Sequence, residues 1–211
     1  MTYSREFADL SSNNAEFNAA EYRNTGHILI AIKATEELNY VNPDHRPWSL
    51  HAGLNWVSVV HYHFARPDLG NSPAAEADHF LAAALPLAGW WDYLCVDIER
   101  ATPEGWQHDP KWSQEFDSQI QRRSRFRSIL YANRSTLVLS DEWLVGDNRR
   151  VWDADWSNAS DYAPRGYTCC FRQSTDGVVG PPPHSLPGIG RCDVNRMSNA
   201  MFLKLNDRYR H

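Results

Sequence analysis

The sequence predicts a single α/β domain over residues 1–211, an irregular (β/α) barrel of about eight strands with fewer helices toward the C-terminus. Three observations predict it. Strand-length apolar runs alternate with segments of helical length and pattern. Several of those runs are apolar at every position, as in strands covered on both faces. No linker, internal repeat or low-complexity block divides the chain.

"REFADLSS" (5–12) reads as a first strand with polar residues at its end, and "NAEFNAAEYRNTG" (14–26) as a helix stopped by Gly26. "HILIAIKAT" (27–35) is a continuous apolar strand. "HRPWSLHAGL" (45–54) is a short helix, and "WVSVVHYHFA" (56–65) another buried strand. "SPAAEADHFLAAALPLAG" (72–89) opens with a Ser cap and a Pro and is rich in Ala, so a helix is predicted. A strand at 93–99, a helix at 109–126 and a strand at 127–133 follow. Then come a helix at 135–144 and a strand at 149–156. Two further strands, 166–175 and 189–197, flank the Pro-rich loop "GPPPHSLPG" (180–188) without a helix of their own.

With 42% hydrophobic and 22% charged residues, the chain has material for a sizeable core and is not a disordered one. A net charge of −5 argues against nucleic acid as the main ligand, since phosphate binding needs clustered Lys and Arg. The one basic run, "RRSRFR" (122–127), reads as a solvated helix end. Nine Trp and nine Tyr supply flat faces of the kind that sugar and nucleobase sites use, or simply a Trp-rich core. The first ten residues hold no apolar signal core, and no run reaches the ~20 apolar residues of a membrane span. The expectation is therefore synthesis without a cleavable export signal and no membrane insertion. Cys95, Cys169, Cys170 and Cys192 make no CxxC pair, so free thiols are expected, with a Cys170–Cys192 bridge as the alternative.

"YLCVDIERA" (93–101) poses the functional question, because an apolar strand here carries Asp97 and Glu99 two positions apart, on one face. In barrels of parallel strands the chemistry sits at the C-terminal strand ends. The acids predicted there are Asp9, Asp97 with Glu99, Asp153 with Asp155, and Asp193 on the last strand. The first and last strands of a closed barrel are neighbours, so Asp9 and Asp193 can meet opposite Asp97 and Glu99. Carboxylates crowded in one cleft push each other's pKa values apart, and one can then stay protonated near neutrality, as acid-catalysed glycoside cleavage requires. A surface ion-pair site and a divalent-metal site are the alternatives. His61 and His63 share a strand face and could add metal ligands, but hydrogen-bonded barrel-wall histidines are the favoured reading.

Seven segments then carry a resemblance, in order along nearly the whole chain. They are "FADLSS", "AIKATEE", "HYHFARP", "AEADHFL", "LCVDIE", "VWDADW" and "RQSTDGVVG…GIGRCDVNRM". Together they resemble the Chalaropsis-type lysozymes, glycoside hydrolase family 25. The resemblance implies a flattened β/α barrel that hydrolyses the β-1,4 bond between N-acetylmuramic acid and N-acetylglucosamine in peptidoglycan. It implies four acidic site positions, Asp9, Asp97, Glu99 and Asp193. Glu99 matches the general acid, and Asp97 the residue that steers or stabilises the substrate's N-acetyl group. Tyr62 and Trp156 match aromatic site-lining positions, and Lys33, Asp155 and Gln173 are further substrate-binding candidates. No cofactor and no metal are implied. Arg172 and Ser174 stand where the family usually shows Trp and Tyr, Glu37 where it shows Gly, and Met197 where it shows Phe. These departures touch sugar contacts and remove no acid.

The resulting expectation is a muramidase made in the cytoplasm and acting on the bacterial wall as a phage-type lysin, or a secreted enzyme in mature form. A separate wall-targeting or holin-type partner would then supply targeting. A non-catalytic wall-glycan-binding domain and a chitin-type N-acetyl sugar hydrolase are the competing readings.

Overall fold

Strands that are apolar on both faces need cover on both, and here they have it in a closed barrel. The computed structural model describes residues 4–99, 108–156 and 167–208. In chain order these form β1 (Glu6–Leu10), α1 (Ala19–Asn24), β2 (Leu29–Glu36), β3 (Tyr40–Val41), α2 (His45–Leu54), β4 (Ser58–Phe64) and α3 (Pro73–Ala84). There follow β5 (Tyr93–Ile98), α4 (Pro110–Arg123), β6 (Ile129–Asn133), α5 (Arg134–Leu139), α6 (Asp141–Gly146), β7 (Arg150–Ala154) and β8 (Thr168–Thr175). The chain ends with β9 (Ser185–Leu186), β10 (Gly190–Arg191), β11 (Asp193–Met197) and α7 (Asn199–Arg208). The sheet order is β1-β11-β8-β7-β6-β5-β4-β2-β3, and a β1–β2 pairing closes eight of these strands into a ring that leaves β3 outside it.

The alternation along each strand sorts its side chains. On β5, Tyr93 and Cys95 point into the barrel with Leu29, Val60, Ile129 and Trp152, while Leu94, Val96 and Ile98 point out under α3 and α4. On β2, Leu29 and Ala31 face in, while Ile30 and Ile32 face out toward Tyr22 and Ala52. His61 and His63 do share a face, the outer one. His63 is bonded to Thr35 (2.8 Å) and Glu76 (2.8 Å), and His61 to His45 (2.8 Å).

Several elements depart from the sequence reading. The helix expected over 14–26 covers only Ala19–Asn24. Asn14 closes a turn with Ser11 through backbone and side chain, and Asn18 caps the helix by accepting from the Glu21 N–H. The helix at 135–144 is two short ones broken at Ser140, whose hydroxyl donates to the Thr136 carbonyl. Ser72 precedes α3 as expected, yet its side chain makes no capping bond. The sequence reading also omitted β3 and the β9–β10 hairpin. It omitted α7 as well, whose Met201 and Leu205, one turn apart, join the inner cluster from the end where the parallel strands begin.

The main correction concerns strand direction. The parallel barrel inferred from β–α repeats holds from β1 through β2 and β4 to β8, but β11 runs antiparallel to both β8 and β1. A parallel return needs a long crossover, usually a helix. Between β8 and β11 the chain makes only a Pro-rich loop and the β9–β10 hairpin, so the last strand returns the other way.

All four cysteines are free. Cys170 belongs to the inner cluster and Cys192 to an outer one, so the alternative bridge does not form.

Asp117 of α4 ties helix to barrel. It accepts from the backbone N–H (2.9 Å) and hydroxyl (2.7 Å) of Ser128 and from the Arg149 guanidinium, all deeply buried. Removing one partner of a buried pair leaves the other charge unpaired. Asp117→Ala should therefore cost about 3–5 kcal/mol of unfolding free energy, read from denaturant titration. A loss below about 1 kcal/mol, the level of an exposed ion pair, would refute that role.

Candidate active site

The C-terminal ends of the parallel strands open on a cleft of about 400 Å³. Inward alternation on β5 continues from Tyr93 and Cys95 to Asp97 and Glu99, so the apolar wall ends in two acids at the mouth. Asp97 is buried, 7% exposed, and among the described residues its Oδ1 has no hydrogen-bond partner. Glu99, one strand repeat further out, is exposed.

Asp9 and Asp193 face each other in the β1–β11 ladder. Asp193 is the first residue of β11, and reaches the mouth only because that strand is reversed. Gln173 links the two acids. Its Nε2 donates to Asp9 Oδ2 (3.4 Å) and Asp193 Oδ2 (3.2 Å), and its Oε1 accepts from Tyr131 Oη (2.9 Å) and Trp156 Nε1 (2.8 Å). Asn195, two residues after Asp193 on the same face, donates to Asp9 (2.7 Å) and accepts from Trp152 Nε1 (2.9 Å).

Burial is the largest cause of the raised pKa values here. Asp97 is pushed well above the ordinary carboxylate range by burial and then by Glu99, with Lys33 opposing. Asp9 is raised by burial, against the hydrogen bonds of Asn195 and Gln173. Asp193 is raised by burial and then by Asp9. The Tyr62 and Tyr131 hydroxyls also lie far above their usual range, mainly through burial, and remain donors. Tyr62 donates to the Leu10 carbonyl (3.2 Å).

Of the residues singled out from sequence, Asp9, Lys33, Tyr62, Asp97, Glu99, Gln173 and Asp193 line the cleft together. Trp156 stands at its margin, 40% exposed and anchored to Gln173. Asp155 does not line it but pairs with Arg172 (3.3 Å), the residue that replaces the family's Trp. Asp153 points to the outer side of β7, where both its carboxylate oxygens are buried. Tyr131, Trp152, Asn195, Asp176 and Arg191 also line or brace the cleft and were not singled out. Asn195 carried a usable signal, its spacing of two from Asp193. Tyr131 carried one only once β6 is placed beside β5.

Glu37, in the family's Gly position, adopts φ +44°, the left-handed conformation that favours Gly. Among the described residues, no cluster of three His, Cys, Asp or Glu is arranged to hold a metal ion.

Residues 8–177 match Glycosyl hydrolases family 25. The chain belongs to that family. It is therefore a glycoside hydrolase, and the cleft is its candidate active site. Solved structures agree on the fold. A bacterial lysozyme from Streptomyces coelicolor is similar at 23% identity, with 98% of this chain and 99% of that chain covered and a TM-score of 0.77. A muramidase from Trichobolus zukalii is similar at 19% identity, with 96% and 100% covered and a TM-score of 0.74. An endolysin catalytic domain from a Listeria monocytogenes bacteriophage is similar at 17%, with 97% of each chain covered and a TM-score of 0.69. Comparison with curated protein sequences gives no match.

The raised acids should make this family 25 site costly to fold. Folding lifts the Asp97 pKa, so above about pH 4 the native state holds more protons than the unfolded chain. Its contribution to stability thus falls as pH rises toward the lifted value, and is absent at pH values low enough to protonate both states. Asp97→Asn should raise the thermal midpoint at neutral pH by about 2–4 °C or more. It should give little gain near pH 3. Equal midpoints for wild type and variant across that range, by calorimetry, would show that Asp97 carries no such strain.

Proposed function

We propose that the protein is an N-acetylmuramidase, cleaving the β-1,4 bond between N-acetylmuramic acid and N-acetylglucosamine of peptidoglycan. One observation carries this reading: an exposed Glu99 sits one strand repeat beyond a buried Asp97 on the same cleft wall. Glu99 is accessible to a glycosidic oxygen and serves as general acid. Asp97, held deeper beside the aromatic Tyr62 and Tyr131, meets the substrate's acetamido group. Its raised pKa makes it, once ionised, a stronger base than an ordinary carboxylate. It can accept a hydrogen bond from the acetamido N–H and stabilise the positive charge that develops as the bond breaks. Asp9 and Asp193, joined through Gln173, complete the acidic wall.

Likeness to bacterial lysozyme and phage endolysin folds alike supports action at the bacterial cell wall. The enzyme reaches the wall either from the cytoplasm, with a holin-type or wall-targeting partner, or as a secreted protein.

Clearing of purified peptidoglycan, with chitin as control, tests the substrate. New reducing ends on muramic acid with intact chitin are expected. Chitin cleavage, or wall binding without cleavage, would sink the proposal.

Glu99→Gln keeps size and hydrogen bonding but cannot deliver the proton, so activity should fall by at least ~10²-fold. A variant folded by circular dichroism that keeps more than about a tenth of the activity would be incompatible with a general acid.

Trp156 presents a flat exposed face and also anchors Gln173. Trp156→Ala should raise KM more than it lowers kcat, because stacking acts on ground and transition states alike. Trp156→Phe, which keeps the face and loses the N–H, should recover most of the KM. Collapse of kcat at fixed KM in both variants would make Trp156 a positioning residue instead.

A further inference from the structure

At the opposite end of the barrel, where the parallel strands begin, lies a second depression of about 730 Å³. Tyr93, at the start of β5, lines it, and Glu99 lines the cleft. Six steps of chain separate the two, about 20 Å along an extended strand. Its lining is unlike the cleft's. Arg125, Arg127, Arg149, Arg150 and Lys204 contribute five cations, against the single carboxylate of Asp92. That carboxylate is already committed to the backbone N–H groups of Val59 (2.8 Å) and Gly89 (2.6 Å).

Of the five cations, only Arg149 has a carboxylate partner among the described residues, the buried Asp117. Arg122 and Arg123 of the basic run end α4 in ion pairs with Glu115 and Asp78, as a solvated helix end should. Arg125 and Arg127 of the same run instead leave the helix for this groove. Arg125 donates to the carbonyls of Ala88 (3.3 Å) and Gly89 (2.9 Å), and lies over the rings of Trp90 (5.6 Å) and Phe126 (4.4 Å). Among the described residues, neither it nor Arg127, Arg150 or Lys204 meets a carboxylate. Burial and then Arg150 lower the pKa of Lys204; burial lowers that of Arg149 against the Asp117 carboxylate, with Arg127 adding in the same sense, so like charges lie near one another. Arg149 is only 2% exposed, and among the described residues its Nη1 has no hydrogen-bond partner, while Nη2 donates to Asp117 and to the Ser128 carbonyl. A buried N–H left without an acceptor, beside four cations that meet no carboxylate, is costly unless a ligand oxygen comes to it. Beside them Trp90 is 78% exposed, a flat apolar face of the kind that stacks on the C–H face of a sugar or polyol.

We propose that this groove binds a polyol- or sugar-phosphate polymer, the polyanionic chain attached to the peptidoglycan on which the cleft acts. The choice of partner rests on the muramidase reading; the groove itself does not. Arg fork geometry suits phosphate oxygens, Trp90 suits the carbon backbone between phosphates, and the overall charge of −5 disfavours long runs of bare phosphate elsewhere on the surface. Placed at the far end of the barrel, a bound polymer would hold the enzyme on the wall and leave the acidic mouth free to meet glycan.

Binding of delipidated poly(glycerol phosphate) is measured by titration calorimetry, with a single-stranded oligonucleotide and anionic phospholipid vesicles as parallel arms. Wild type should bind the polymer in preference to both, more weakly as salt rises. Arg127→Glu/Arg150→Glu, both at exposed positions, should weaken binding about tenfold or more. Trp90→Ala should weaken it severalfold with an unchanged salt slope. On peptidoglycan stripped of anionic polymer, all these variants should keep wild-type hydrolysis; on intact wall they should lose it. Absence of polymer binding, binding unaffected by the double variant, or preference for the oligonucleotide or the vesicles would overturn the proposal. Polymer binding is read without turnover, so a failed muramidase assay does not decide it, and a failed binding assay leaves the cleft's reading intact.

Discussion

Closure of the barrel at the β1–β11 seam is the constraint on which the site depends. Asp9 and Asp193 are directly opposed there. Two like charges across a ladder are unfavourable, and Gln173 and Asn195 offset this by donating N–H groups to them. Those two amides are held in turn by Tyr131, Trp156 and Trp152. The orientation of both amides is set by their partners, since each nitrogen faces carboxylate and each oxygen faces an N–H or O–H donor. A single seam thus connects five strands, β1, β11, β8, β7 and β6, to the acids at the mouth.

The same geometry explains why acids can sit in an apolar barrel. The inner layer is apolar from Phe7 and Leu29 up to Tyr62 and Cys95, and α7 closes its far end with Met201 and Leu205. Asp97 lies at the boundary between that layer and the cleft. Its desolvation is therefore a by-product of the packing that holds the barrel shut, and its raised proton affinity is a property of position more than of neighbours. Function and stability pull against each other at this one residue.

The two ends of the barrel are chemically opposite. One gathers carboxylates and hydroxyls around a cleft, and the other gathers arginines and aromatic faces around a shallow groove. Topology alone permits this. In parallel strands every C-terminal end belongs to the mouth and every N-terminal end to the base, so residues a few positions apart on one strand are exposed to different partners. Tyr93 and Glu99 are the example.

The local pattern and the inventory of acids are legible in the amino-acid sequence. Apolar runs at 27–35, 56–65 and 93–99 are strands because both faces are covered, and "VDIE" must place two carboxylates on one face because the side-chain period of a strand is two. The order of the seven family segments further located Asp9, Asp97, Glu99 and Asp193. Tertiary structure decided what no local pattern encodes. It reversed β11, because the link from β8 is spent on a Pro-rich loop and the β9–β10 hairpin in place of a crossover helix, and so brought the start of that strand to the mouth. It turned Asp153 and Asp155 away from the cleft, although their spacing is the same as that of Asp97 and Glu99, because β7 meets the mouth in the opposite phase. It recruited Tyr131 and Asn195, whose roles are hydrogen bonds to residues 42 and 186 positions away. Alternation fixes which side chains share a face; only the closed ring fixes which face is the inside.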